Sequence, residues 1–423
     1  MSIFLYEFLH FKRNKAKLFC YLFFMILCIL SILNGFEKYS KQINTISQIE
    51  EKKQEDISNI IKWFENNKKG PEDRPWVDIG NPFWAIYYTP TYAYKIPSDL
   101  FPLGIGQSEQ FGYYKKITRW SSTYDNDMIE EISNFERLIY GVIDFSFLVI
   151  FLLPILIIIF TYNINGLEKD LDFHKLIMNQ TKNVNFWILN RLLFYFILLI
   201  FSIDIMILCV GLINNFNQHI SSIFQLVLIS NLYILFFFII FYFLIRHGKS
   251  NNNIAFKMIS IWLIFCVLIP GSVHQYSNLK FPTNYMTDFL DANRKETYDV
   301  FKLENNELHN ILIDLYPDLI NTRLLQDKTP KNQKIRRSIS SIINKMNIEA
   351  ATEIELQNES KNKFIRRSYF YNPVSFVQNM WNSCTLTNYE SYREFRTKIQ
   401  EAITTRNELI LFELWNNNKV DMS

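Results

Sequence analysis

The sequence predicts a mainly α-helical, polytopic membrane protein with five spanning helices and two large polar insertions. Three observations carry that expectation. The apolar residues of the 423-residue chain are gathered into five blocks, and a helix rising about 1.5 Å per residue needs roughly 20 such residues to cross a hydrocarbon core. The intervening stretches are charged and Asn-rich, while Phe alone fills 38 positions. Lys and Arg concentrate at one alternating set of helix ends. A net charge of +3 with 20% charged residues gives no reason to expect nucleic acid as a partner. The five cysteines are scattered; Cys20, Cys28, Cys209 and Cys266 sit inside apolar blocks and Cys384 stands alone. No pair is placed to staple an exposed domain.

Residues 1–15 open with an apolar turn, Ile3-Phe4-Leu5-Tyr6, followed by Phe8 and Phe11 and by the basic run Lys12-Arg13-Asn14-Lys15-Ala16-Lys17. This predicts an amphipathic helix on the membrane surface. The first span is predicted over 16–36. No small-residue cleavage site follows it, so an anchor is expected rather than a cleaved signal. The other spans are predicted over 138–162, 186–213, 223–245 and 254–270, the last closed by Pro270-Gly271. Pro154 predicts a kink in the second.

Orientation follows from the basic residues near the helix ends. Lys12, Arg13, Lys15 and Lys17 precede the first span. Lys169, Lys175, Lys182 and Arg191 flank the link after the second, and Arg246, Lys249 and Lys257 flank the link after the fourth. All fall on one side if the N-terminus is cytoplasmic. Residues 37–137 and 271–423 then form extracytoplasmic domains.

Between 37 and 69 the isoleucines recur every three to four positions, which extends the first helix beyond the bilayer until Gly70-Pro71. Residues 75–120 are dense in Pro, Gly, Tyr and Trp and predict short strands or loops. Their aromatic stripe reads as the core of a small domain, or as a surface for a hydrophobic ligand or lipid headgroups. Residues 285–316, 319–347 and 389–415 carry helical spacing, punctuated by Pro317, Pro330 and Pro373. The basic clusters Lys334–Arg337 and Arg366-Arg367 lie among acidic residues and are expected on a solvated face.

Catalysis finds no support. Gly248-Lys249-Ser250 ends like a phosphate-binding loop, but Phe243 stands where that motif needs its first Gly, and no strand precedes it. None of the six histidines pairs with Cys, Asp or Glu at metal-ligand spacing. The chain is not expected to be an enzyme or to hold a cofactor. Intramembrane polar residues remain. Asp204 lies past the midpoint of the third span, with Asn231 and Ser202 as possible hydrogen-bond partners. Asp144 is expected about two turns inside the second span. An isolated carboxylate there must be paired, protonated or turned to water. These residues read either as a polar lining or interface lock, or as neutralised structural contacts.

The link 163–185 alternates acidic Glu168, Asp170 and Asp172 with apolar Leu167, Leu171, Leu176 and Ile177. This predicts a short amphipathic helix at the cytoplasmic surface, either a docking face for a soluble partner or an interfacial anchor.

Three stretches carry a family resemblance: Pro97-Ser98-Asp99-Leu100 through Gly104-Ile105-Gly106-Gln107-Ser108; Gly141–Phe147 running to Leu153-Pro154; and Asn372-Pro373-Val374 through Tyr389–Arg393 and Phe395-Arg396. The chain resembles the ABC-2-type permeases of bacteria, within a branch bearing large extracytoplasmic insertions. That resemblance implies a permease subunit in the bacterial inner membrane, engaged in export and working with a separate cytoplasmic ATPase and a second permease copy or paralogue. It implies a coupling helix in which Glu168, Asp170, Leu171 and Leu176 meet the ATPase. The family's Gly-Thr-Leu after the acidic start is replaced by Phe173-His174-Lys175-Leu176 here. It also implies six helices, whereas five are predicted and the chain stops at Asp421-Met422-Ser423, about where the sixth is expected. The alternative of a different class is a membrane-anchored envelope sensor or scaffold without transport.

Overall fold

The computed structural model describes residues 3–125, 127, 143–164, 173, 184–214, 216–248, 250–282, 292–326 and 332–420. Among the described residues, four helices are long and apolar enough to cross a membrane, compatible with a multi-pass membrane protein. They are α2 (Lys15–Glu65), α5 (Val184–Ile213), α6 (Phe216–His247) and α7 (Asn251–Lys280). A shorter apolar helix, α4 (Phe145–Thr161), joins them. At about 1.5 Å per residue α4 is roughly 25 Å long, short of the roughly 30 Å hydrocarbon core. Five full-length spans are therefore not seen among the described residues; four are, with α4 as a shorter companion.

The chain begins with α1 (Ile3–Arg13), separated from α2 by Asn14 in extended conformation. The Asn14 side chain accepts the Lys17 amide at 3.1 Å and so starts α2 as its N-cap. Helix α2 then runs for 51 residues, about 75 Å, well past any bilayer, as the isoleucine spacing predicts. Gly35 lets it pass close to the turn at Phe101–Leu103. A Cβ there would lie 2.6 Å from the Pro102 carbonyl oxygen.

Proline shapes two of the apolar helices in the same way. Residues Leu148–Leu152 and Ile264–Leu268 widen into π-helical turns, each two residues ahead of a proline, Pro154 and Pro270. Proline has no amide hydrogen and its ring presses on the carbonyl four residues back, which for Pro154 is that of Ile150. Two neighbouring helices supply donors: Tyr233 Oη of α6 donates to the Ile150 carbonyl at 2.6 Å, and Trp262 Nε1 of α7 donates to that of Phe151 at 3.0 Å. The kink expected at Pro154 takes this form. Tyr233→Phe is expected to cost about 1 kcal/mol, the scale of hydrogen bonds between helices in a bilayer. Thermal unfolding in nanodiscs, beside wild type, measures it.

The polar stretches gather at one end of the bundle, where α2 leaves, α4 begins, and α5 meets α6. Residues of both stretches share hydrophobic clusters. Helix α3 (Pro82–Tyr88) is capped by Asn81 and led by Pro82. This corrects the expectation of strands or loops there: Asn at the cap and Pro at the first turn are helix-starting signals. Strands β1 (Thr91–Tyr94) and β2 (Tyr114–Ile117) pair antiparallel, Thr91 opposite Ile117 and Tyr94 opposite Tyr114. The remaining helices are α8 (Ala292–Lys302), α9 (Asn305–Leu315), α10 (Arg323–Gln326), α11 (Asn332–Arg337), α12 (Ile339–Arg367), α13 (Pro373–Cys384) and α14 (Tyr389–Trp415). Phe83 of α3 shares one core with Leu308, Leu312, Ile342, Leu411 and Trp415. Ala93 and Ile117 of the hairpin pack on Phe395, Ile399 and Ile403 of α14. Buried Arg406 of α14 donates to the carbonyls of Ile86 and Thr89 at 2.6 and 2.9 Å, setting a cation at the C-terminal end of α3.

In the two basic clusters Arg336, Arg366 and Arg367 are exposed, as expected of a solvated face, and several of the arginines also make contacts. Arg336 donates to the carbonyls of Phe301 and Leu303 at the end of α8, at 3.1 and 2.9 Å. The Arg337 guanidinium lies 4.5 Å from the centre of the Phe83 ring. Arg366 meets Glu390 at 3.1 Å.

Candidate functional site

The segment 97–108 is the junction between the polar module and the apolar bundle, and nearly every residue in it is held. Leu100 and Leu103 are buried in the same core as Phe145, Leu148 and Trp381. Asp99 accepts from Tyr39 Oη at 2.8 Å and faces His219 Nε2 at 3.0 Å, while its carbonyl accepts from Asn214 Nδ2 at 2.6 Å. One residue thus ties together α2, the α5–α6 turn and α6. Trp381 Nε1 of α13 donates to the Leu103 carbonyl at 2.9 Å, and Thr387 Oγ1 donates to that of Gly104 at 3.1 Å. Gly106 has a φ of 50°, and a Cβ there would lie 2.5 Å from Thr387 Oγ1. Glycine alone combines that left-handed backbone with so close an approach.

Asp144 closes the junction. It is the N-cap of α4, with extended backbone, not a residue two turns inside a span; the expected position is corrected. The apolar run misplaces it because a helix end buried under a polar module needs no polar flank of its own. Its carboxylate, buried at 4% exposure, accepts from the amides of Phe147 at 2.7 Å and Ile105 at 2.9 Å, and from Ser146 Oγ at 2.7 Å. The Gly106 amide approaches at 3.4 Å. The helix N-terminus and these donors together stabilise the charge.

Asp204 and Asn231 lie on facing helices, with Asn231 Nδ2 donating to Asp204 Oδ2 at 3.1 Å. The other carboxylate oxygen and the Asn231 carbonyl oxygen are buried without a hydrogen bond among the described residues. Ser202 is not part of this pair. It donates to the Leu198 carbonyl at 2.7 Å and meets Tyr21 Oη at 2.7 Å, because residues two apart point about 200° away from each other around a helix.

At the opposite end of the bundle lies a constellation that the residue patterns did not single out. Glu7 of α1 is 0% exposed and Arg191 of α5 is 1% exposed, and the two form an ion pair. Tyr195 Oη donates to the other Glu7 oxygen at 3.2 Å. Lys17 Nζ donates to the Phe160 carbonyl at the end of α4 at 2.6 Å and to Tyr195 Oη at 3.3 Å. The Arg191 guanidinium stacks 4.7 Å from the Trp187 ring centre. Lys17 and Arg191, two of the basic residues that flank the spans, are both buried. A lone Glu in an aromatic-rich N-terminal helix was the available signal.

The coupling residues Glu168, Asp170, Leu171 and Leu176 lie outside the described residues.

Lys95 marks the rim of the junction. Its Nζ donates to the Leu386 carbonyl at 2.8 Å and lies 4.5 Å from the centre of the Tyr392 ring. Burial pushes its pKa down to about 8. The unfolded side chain titrates near 10.4, so between these values the unfolded chain binds more protons and stability rises with pH. Lys95→Met is expected to flatten that rise, read from unfolding midpoints of both chains at pH 7.5 and 10.

No family model matches the chain, and no curated protein or solved structure matches it either.

Proposed function

We propose that this chain is the membrane permease subunit of an ABC-type exporter, driven by a separate cytoplasmic ATPase and paired with a second permease copy or paralogue. The observation that supports this reading best is α1. It is a short helix broken from the first long span at Asn14, it leaves Phe4, Leu5 and Phe8 exposed, and it is bound to α5 through Glu7. That is the surface helix the family resemblance implies at a permease N-terminus. On this reading the N-terminus is cytoplasmic in a bacterial inner membrane, and the polar module is extracytoplasmic. ATPase closure presses on the 163–185 link and on α1. The buried Glu7–Arg191 pair passes that movement to α5 and, through Lys17, to the end of α4. The two π-helical turns give α4 and α7 places at which to bend.

A pull-down of the tagged chain from its native host in mild detergent, with mass spectrometry of what accompanies it, tests the reading. A near-stoichiometric ATPase that is lost when Leu171 and Leu176 become Glu is the expected result. Envelope proteins alone, with no ATPase even after cross-linking, would overturn it in favour of a sensor or scaffold.

A further inference from the structure

We propose that the cavity between α4 and the helices α12 and α13 binds the phosphate headgroup of an anionic membrane lipid, with the lipid's apolar part lying on α4. The inference does not depend on transport. The cavity has a volume of about 620 Å³, within the range of sites that hold small ligands. Its walls differ in chemistry. One is the start of α4, where the tilted rings of Phe147 and Phe151 have centres 5.1 Å apart and both remain half-buried. The other is lined with carboxamides and one ammonium: Asn358 and Lys361 of α12, and Gln378 and Asn379 of α13.

Charge selects the ligand. The lining holds one carboxylate, Asp144, and its oxygens already receive hydrogen bonds from Ile105, Ser146 and Phe147. Arg396 also lines the cavity, but it faces Glu355 at 3.4 Å and Asp127 at 3.6 Å. Lys361 has neither an ion pair nor a hydrogen bond among the described residues, and burial lowers its pKa. An ammonium held partly out of water without a counter-charge, beside amide N–H groups, suits an oxygen-rich anion. The lining residues Gln107 and Asn382 each keep a buried carbonyl oxygen without a donor among the described residues, which suits a headgroup that also carries hydroxyls. Phosphatidylglycerol meets all three demands: phosphate, hydroxyls and an apolar tail. Glycerol phosphate in solution meets the first two, and the Phe147–Phe151 wall separates the cases.

The test uses the purified full chain in phosphatidylcholine nanodiscs titrated with phosphatidylglycerol. Retained lipid is read by native mass spectrometry, and thermal unfolding is followed in parallel. Wild type is expected to retain phosphatidylglycerol over phosphatidylcholine. K361Q is expected to weaken that retention about tenfold, K361R to keep it, and Phe151→Ser to weaken it without changing the response to sn-glycerol 3-phosphate. Folding of each variant is checked by its unfolding midpoint in phosphatidylcholine alone. Equal retention by wild type and K361Q overturns the site. Protection by glycerol phosphate as strong as by the lipid, unchanged in Phe151→Ser, overturns the lipid and leaves a soluble phosphate as the occupant.

Discussion

Arg191→Met is expected to lower the unfolding free energy by about 3–5 kcal/mol, the scale of a buried ion pair stripped of one partner. Arg191 is 1% exposed and Glu7 is 0% exposed. Removing the guanidinium leaves the Glu7 carboxylate, among the described residues, with the Tyr195 Oη donor at 3.2 Å, in surroundings where water does not compensate it. Replacing both residues removes the stranded charge as well as the attraction, so Glu7→Met with Arg191→Met is expected to recover most of the loss. Unfolding of the four chains in nanodiscs supplies the cycle, and limited proteolysis after residue 14 reports whether α1 is released. A double variant as unstable as Arg191→Met alone would show that the guanidinium acts through its packing on Trp187 at 4.7 Å and not through the pair.

Asp144→Ala is the second large effect. The carboxylate accepts from two amides and a hydroxyl within 3 Å, in a residue 4% exposed. Hydrogen bonds to a charged group are worth about 1.5–3 kcal/mol each, and alanine leaves the buried amide of Ile105 without this acceptor. A loss of about 3–5 kcal/mol is expected, larger than an N-cap alone provides. Asp144→Asn keeps one acceptor oxygen and is expected to lose less than half of that. The location of the damage is as informative as its size. Because Ile105 and Gly106 belong to the junction and Phe147 to α4, hydrogen exchange is expected to rise in residues 97–108 and 145–152 together. A rise confined to α4 would reduce Asp144 to a cap.

The parts of this chain that could be read in advance are those that local periodicity controls. Helix α14 has the predicted bounds, Tyr389–Trp415, because its apolar residues recur at the helical period. The extension of α2 beyond the bilayer followed from the isoleucine spacing. The distortion before Pro154 follows from a missing amide hydrogen, a property of one residue. Asn231 and Ser202 are the partners expected for Asp204; Asn231 on the facing helix meets it, whereas Ser202 points to another side of its own helix. Asp144 was misplaced, since an apolar run does not say where a helix begins once its end is covered by other residues. Lys and Arg near a span ordinarily reach water; at Lys17 and Arg191 it is the Phe160 carbonyl and Glu7 that make burial tolerable.

Composition and spacing alone thus determined a chain of long apolar helices carrying a large polar fraction, because both are sums over neighbouring residues. They could not determine that the two polar stretches share one core, with Phe83 packed against Trp415 in the same cluster. Nor could they reveal that residues 97–108 join that module to the bundle through Asp99 and Asp144. Those contacts join residues far apart in the chain, and their stability comes from excluding water from surfaces that meet only after folding.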